Sequence, residues 1–429
     1  MVEKLQYSFR ARAELTAYQM LGGAAALFGA GSVPVLRRYF SRIDEGFSDY
    51  LGSVKKPPKV PSIWVHGVSM GESLVAIGFA AELRRLFPQM PLIFTSTHPD
   101  VIKNVKKRQI ADVVAYFPLD TLVTMGRAFD RFMPAAVFVA ETDFWPFFSH
   151  NCARRGVPLM LVNGRISSKI ADFYQHAAGL AEVVFGAFSL FAVQTGLDRE
   201  RLESVGVSSE KIKVVGNVKA DLSGMGKPAD LVSVKKWRGT RRLVVFGSLH
   251  PAEFTMLLPV ISTLATKNVA VLVAPRNIAL IDEWQQVLIA AGLSVARRSA
   301  SPVEGCESVM LLDTMGELAW AYSLADVAVV GGSIDTKVGG HNPLEVMGRR
   351  VPLLLGPNTR NFADVVEQLR AEDGVRICSD AAQFLAGIEG FLNDPEMAKM
   401  TAERAFQVLQ KSRGALAATL ELAKKLICR

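Results

Sequence analysis

Carboxylates stand where apolar runs of this sequence give way to turns. In "WVHGVSMGES" the run ends at Ser69, and Gly71 and Glu72 open the next segment. A Ser-x-Gly-Glu turn lets backbone approach a ligand and sets a carboxylate at a helix start. Desolvation and neighbouring charge can make such a carboxylate a general base. The same spacing fits a capping box, with Ser69 as N-cap and Glu72 reaching back to it. In "VAETDFWP", Glu141 and Asp143 follow a second apolar run, and each either acts on substrate or caps the helix that follows. "GNVKAD" adds Lys219, a cation suited to developing phosphate charge or else a solvated surface lysine.

The second half carries a different chemistry. "APRN" sets Arg276 at the end of a strong apolar run, and "LLDTMGEL" offers a Gly316-Glu317 helix start. Free backbone N–H groups and the helix dipole at such a start suit a phosphate. "VVGGSIDTKVGGHNPLEVM" then places four glycines, His341, Asn342 and Glu345 between two apolar segments. Asn342 and Glu345 face one side of a first helical turn, a sensible amide and carboxylate for a base edge or a ribose diol. His341 either touches ligand or orients the turn. Together these pieces read as a nucleotide site at the strand ends of one Rossmann-like domain.

The elements that must hold these residues alternate. "SIWVHGVS", "PLIFTSTHPD", "AAVFVAETD", "PLMLVNGRIS" and "LFAVQT" read as strands with helical patterns between them. After a Gly-, Pro- and Lys-rich stretch at 222–240, "RRLVVFGSLH", "VAVLVAPRN", "ADVAVVGGS" and "VPLLLGPN" resume the rhythm. Strand–helix alternation predicts parallel sheets covered on both faces. The expected fold is α/β, two doubly wound Rossmann-like domains, with ligand in the cleft facing the carboxyl ends of both sheets. Expected boundaries are 1–45 for an N-terminal membrane-associated segment, 46–228 for the first domain and 229–429 for the second. Leu15 to Leu36 is uncharged and long enough to span a bilayer; an anchor or interfacial helix is the favoured reading over a helix buried in the protein.

Bulk composition narrows the partners. The 429 residues are 50% hydrophobic, which fits globular cores, and the net charge of +8 favours anionic company. No nucleic-acid-binding signature is present. Four widely spaced cysteines without a CxxC argue against a disulfide framework or a zinc site. No HExxH and no Asp-x-Asp occurs, so the usual metal–diphosphate signature is missing.

The ordered set "HGVSMGE", "AETDFWP", "LVNGRIS", "VVGNVK", "GSLHPAE", "APRN", "LLDTMGELAWAYSLADVAVVGGS", "GGHNPLE" and "LLLGPNTRNF" closely resembles one family. It is the 3-deoxy-D-manno-octulosonic acid (Kdo) transferases of lipopolysaccharide synthesis. The resemblance implies a GT-B fold, with an N-terminal apolar helix and a final helix that crosses back to the first domain. It implies an inverting, metal-independent glycosyltransferase that moves Kdo from CMP-Kdo to a glucosamine hydroxyl of the lipid A precursor (lipid IVA). The reaction would take place on the cytoplasmic face of the inner membrane, without a cofactor. By position, Glu72 matches the general base, and Glu141 and Lys219 match residues that support the transition state. Pro275, Arg276, Met315, Gly316, Glu317, Asn342, Pro343, Leu344 and Glu345 match CMP-binding segments. Ser69, Gly71, Arg165, His250, Gly340 and His341 are further candidate substrate contacts. His98, Asp100 and Asn277 depart from the family pattern. The rival readings are another GT-B sugar-nucleotide enzyme, such as a UDP-sugar transferase or epimerase, and a non-catalytic membrane-associated binding protein.

Overall fold

The computed structural model describes residues 6–27, 43–54, 58–68, 70–223, 231–300 and 307–428, excepting the side chains of 21–27, 43–45, 47 and 70–73. The chain divides into two compact units. The first is Met1–Leu222 with Arg413–Arg429, and the second is Ser223–Ser412.

The first unit is built on seven strands: β1 (Ser62–His66), β2 (Leu92–Ser96), β3 (Val113–Tyr116), β4 (Pro134–Ala140), β5 (Leu159–Gly164), β6 (Phe188–Val193) and β7 (Ile212–Val214). They lie in the order β3-β2-β1-β4-β5-β6-β7, every pair parallel. Every residue of β1, β2 and β5 is buried. That is why these strands read as continuous apolar runs instead of alternating ones: helices cover both faces. One face packs Trp64 among Phe129, Phe132 and Phe148. The other face receives the last helix, Ala415–Ile427, whose Leu416, Leu420, Ala423 and Leu426 join the core beside Phe79 and Phe138. The Asp221 carboxylate pins that helix by accepting the backbone N–H of Gly414 (2.8 Å) and Leu416 (2.7 Å).

The N-terminal helix Phe9–Leu27 docks on helix Ala178–Gly186 of the same unit. A Cβ at Gly179 would lie 2.8 Å from the Ala11 backbone, so only glycine permits this approach. Glu14 accepts the Leu180 N–H at 2.8 Å, and Leu15 and Tyr18 pack against the aromatic core. Among the described residues no helix is long and apolar enough to cross a membrane. Residues 28–36 of the expected apolar span lie outside the described residues. The preceding part is a helix lying on its own domain.

The second unit has β8 (Leu243–Leu249), β9 (Ala270–Pro275), β10 (Val295–Arg297), β11 (Val309–Leu311), β12 (Val327–Val330), β13 (Leu353–Leu355) and β14 (Arg376–Ile377). Their order is β10-β11-β9-β8-β12-β13-β14, again all parallel. Five strands, β3, β7, β10, β11 and β14, have no counterpart among the apolar runs read from the sequence. Each has four residues or fewer, too short to register a pattern, and all but β11 lie at a sheet edge.

Candidate functional site

In each sheet, strand order reverses between two central strands, β1 and β4 in the first unit and β8 and β12 in the second. Crevices at the carboxyl ends of such strands are the expected ligand positions. Both are rich in polar side chains here.

In the first unit, Glu141 follows the last residue of β4 with φ at +63°, a left-handed conformation that costs a non-glycine residue about 1 kcal/mol. The turn is held by its N–H donating to Val162 O (2.9 Å) and its carbonyl accepting from Arg165 N (3.3 Å). The nearly buried Glu141 carboxylate pairs with Lys219 Nζ at 2.6 Å and accepts Asn163 Nδ2 at 3.1 Å. Fully buried Asn163 also has positive φ, and its Oδ1 accepts the N–H of Val218 at 2.9 Å, fixing the short helix Val218–Leu222 that carries Lys219. Lys219 is therefore an oriented, mostly buried cation and not a solvated one.

Across the reversal, His66 ends β1 completely buried, stacked on Phe117 at 3.9 Å. Its Nδ1 lies 3.0 Å from Thr95 O, an acceptor only, so the proton sits on Nδ1. Nε2 is then an acceptor facing Asp143 Oδ2 at 3.7 Å. Burial pushes the imidazole down to about 3, so the ring is neutral. Ser69 lies outside the described residues. Gly71 and Glu72 occupy the first turn of helix Met70–Leu86, with their side chains outside the described set.

In the second unit, the Gly-Gly loop after β12 is braced from below by a residue that sequence reasoning did not single out. Glu253, fully buried, accepts the N–H groups of His250 (2.9 Å), Gly332 (2.8 Å) and Ile334 (2.9 Å). The only sign in the sequence was the His-Pro-x-Glu spacing of a capping box in "GSLHPAE". A Cβ at Gly331 would meet Ser248 O at 2.6 Å, and Gly332, Gly339 and Gly340 all take positive φ. From the other side Asn358, Arg360 and Asn361 donate to loop carbonyls of Ile334, Thr336, Lys337, Val338 and Gly340. The four glycines thus belong to a rigid, cross-braced turn.

That turn brings His341 onto His250, with Nε2 atoms 2.8 Å apart and rings 8° from coplanar. Burial, then the charges of Arg276 and His250, push His341 down to about 4. Arg276 is exposed just beyond β9, whose last residue, Pro275, is buried. Asn342 donates to Glu345 at 3.3 Å and also accepts the Leu344 N–H, while Pro343 and Leu344 are buried beneath the turn. Glu317 is engaged by Arg298 (2.9 Å) and Thr314 (2.7 Å), so its carboxylate braces its own turn; Met315 and Gly316 (φ +83°) are the exposed part. The helices after Glu317 and Pro343 are single turns, Leu318–Ala321 and Leu344–Met347, weaker dipoles than the sequence reading anticipated. Asn277 spends its carbonyl on the N–H of Ala279, and His98 Nδ1 sits 3.7 Å from Asp100. Among the described residues no group of three or more His, Cys, Asp or Glu is placed to hold a metal ion.

Two doubly wound parallel sheets with polar strand ends define the GT-B class of α/β proteins. A solved structure of UDP-GlcNAc 2-epimerase from Neisseria meningitidis bound to UDP-GlcNAc shares this fold, with a TM-score of 0.59 over 85% of this chain and all of its own, at 14% identity. Residues 42–222 match the family described as 3-deoxy-D-manno-octulosonic-acid transferase (kdotransferase). The 3-deoxy-D-manno-octulosonic acid transferase of Haemophilus influenzae is 29% identical over 395 residues, covering 90% of this chain and 92% of that protein. The C-terminal CMP-Kdo binding domain of WaaA from Acinetobacter baumannii is 31% identical over 42% of this chain and 94% of its own, with a TM-score of 0.40. The chain belongs to the Kdo transferase family and is a glycosyltransferase.

Proposed function

We propose that this glycosyltransferase moves Kdo from CMP-Kdo to a glucosamine hydroxyl of the lipid A precursor lipid IVA, inverting the anomeric centre, at the cytoplasmic face of an inner membrane. The observation that carries the donor assignment is the braced turn of the second unit, which gathers Arg276, His341 and His250 at a strand-order reversal. An arginine beside hydrogen-bonding imidazoles and glycine backbone suits one phosphate, as CMP carries. Arg276 binds the phosphate; the turns at Met315–Gly316 and at Asn342–Glu345 hold the nucleoside. As CMP departs, negative charge grows on the phosphate, where a preorganised cation stabilises it.

The first unit supplies the acceptor chemistry in this reading. Glu72 takes the proton of the attacking hydroxyl, and the Lys219–Glu141 pair sets a fixed dipole for the oxocarbenium-like transition state. Ser69, Gly71 and Arg165, which follow apolar runs in the sequence, are acceptor contacts in this reading. The net charge of +8 favours an anionic lipid and its membrane surface.

Mass spectrometry of the product from tetra-acylated lipid A precursor and freshly generated CMP-Kdo tests the reaction directly; no mass increase for Kdo sinks it. Glu72→Gln tests the base. Turnover should fall about 10²–10⁴-fold with CMP affinity kept, and near-wild-type transfer would remove Glu72 from that role.

A further inference from the structure

The two histidines of the second unit share a single hydrogen bond in a way that has chemical consequences. Imidazole Nε2 atoms 2.8 Å apart need one proton between them, because two lone pairs or two N–H groups would repel. In a neutral pair of this kind the ring that donates from Nε2 has an unprotonated Nδ1, which can accept a proton. The groups around His341 favour its uncharged form. Arg276, beyond β9, disfavours a second cation, and the buried Glu253 carboxylate is already occupied by loop N–H groups, that of His250 among them. Burial of His341 acts in the same direction.

We infer that His250 and His341 act as a proton-accepting pair for the donor phosphate: the pair takes up one proton when a phosphate monoester occupies the site beside Arg276, and gives it back when the nucleotide leaves. This deepens the donor reading above and rests on it. CMP-Kdo carries one negative charge on its phosphate. When the sugar–phosphate bond breaks, its electron pair stays on the phosphate oxygen, so bound CMP approaches two negative charges. The acceptor hydroxyl proton goes to the general base. A separate solvent proton enters the histidine pair, turning it into an imidazolium–imidazole unit that offsets the new charge. It returns to solvent with CMP release, so the overall reaction is unaltered. His250 and His341 would be catalytic residues through that contact with the leaving phosphate, and Glu253 a positioning residue that holds His250 and the loop.

Calorimetric titration of CMP into the full chain near neutral pH, in two non-phosphate buffers of different ionisation enthalpy, measures the proton directly. Wild type should take up about one proton per CMP, cytidine should take up none, and His250→Gln and His341→Gln should each abolish most of the uptake. Glutamine keeps a hydrogen bond to the remaining ring, and the melting temperature of each variant checks that it is folded. Should either variant fail to fold, ¹⁵N NMR of histidine-labelled wild type reads the same event, since CMP must move paired ring nitrogens to imidazolium shifts. CMP binding without uptake, or uptake unchanged in both variants, overturns the pair's role while leaving the donor reading standing. No binding of CMP at all overturns both.

Discussion

The two strand-order reversals are built by opposite means. In the first unit the polar groups are already satisfied by one another: Lys219, Glu141 and Asn163 form a nearly buried set in which a cation faces a carboxylate at 2.6 Å. In the second, a fully buried carboxylate, Glu253, is consumed by backbone N–H groups, and the side chains above it are two hydrogen-bonded imidazoles and an exposed arginine. A charge pair that exists before substrate arrives suits a fixed electrostatic role. A hydrogen-bonded imidazole pair beside an exposed arginine suits an anion that comes and goes. Pre-payment of desolvation in the first unit against ligand-supplied charge in the second is what separates the two ends.

Breaking the buried pair should produce the largest effect on stability. Among the described residues, Lys219→Met leaves Glu141 with only Asn163 as a side-chain partner in a low-dielectric site. We expect a loss of about 3 kcal/mol in urea unfolding together with loss of turnover. Adding Glu141→Gln should restore much of the stability, because no uncompensated charge remains, but not turnover. If the double variant regains activity as well, the pair is architectural and has no part in the chemistry.

A smaller effect separates the histidines of the two ends by pH. His66 is held near 3, below its ordinary 6.5, by burial. The unfolded chain binds a proton as pH falls through 6.5 and the folded chain does not. The associated stability is therefore complete above 6.5 and is lost as pH falls toward 3. At about pH 5 the loss amounts to about 2 kcal/mol. Asp120 works the other way, since burial raises it to about 6; its contribution is complete below its ordinary 3.8 and is lost as pH rises through 6. The comparison must thus be between wild type and His66→Asn, whose loss between neutral pH and pH 5 should be smaller by that amount. CMP should leave this difference untouched, because His66 belongs to the other end. Equal acid sensitivity of the two chains would remove His66 as its source.

The legible part of this molecule was what depends on long buried strands and on short motifs at their ends. β1, β4, β8, β9 and β12 announce themselves because burial on both faces makes them apolar, and the residues just past three of them, Glu141, His250 and Arg276, follow by position. The bracing was not legible. Asn163 sits inside "LVNGRIS" with nothing to mark its side chain as the link between Glu141 and Val218, a contact made across 55 residues of sequence. Glu253 stands at the spacing of a helix cap and is one, yet its carboxylate also reaches Gly332 and Ile334, about 80 residues away. The partner of Glu317, Arg298, lies on the far side of a strand whose three residues carry no pattern. Long-range hydrogen bonds decide which polar residues face ligand and which hold the frame, and sequence spacing is silent on them.

Glu253 therefore offers the sharpest test of the second end, with the smallest expected effect. Glu253→Gln keeps one acceptor oxygen, enough for His250 and Gly332 on one side. Its amide then points a donor at the Ile334 N–H, and that clash must be relieved by a shift of the loop. The expected cost is about 1–2 kcal/mol, seen as faster amide exchange through residues 331–341 and as CMP affinity about tenfold weaker. Exchange in β4 and β5 should not change, and neither should the rate with saturating donor beyond a few-fold, since the groups that touch substrate are all retained. Weaker CMP binding with an unmoved loop would mean that Glu253 acts on the ligand itself and not through the backbone it holds.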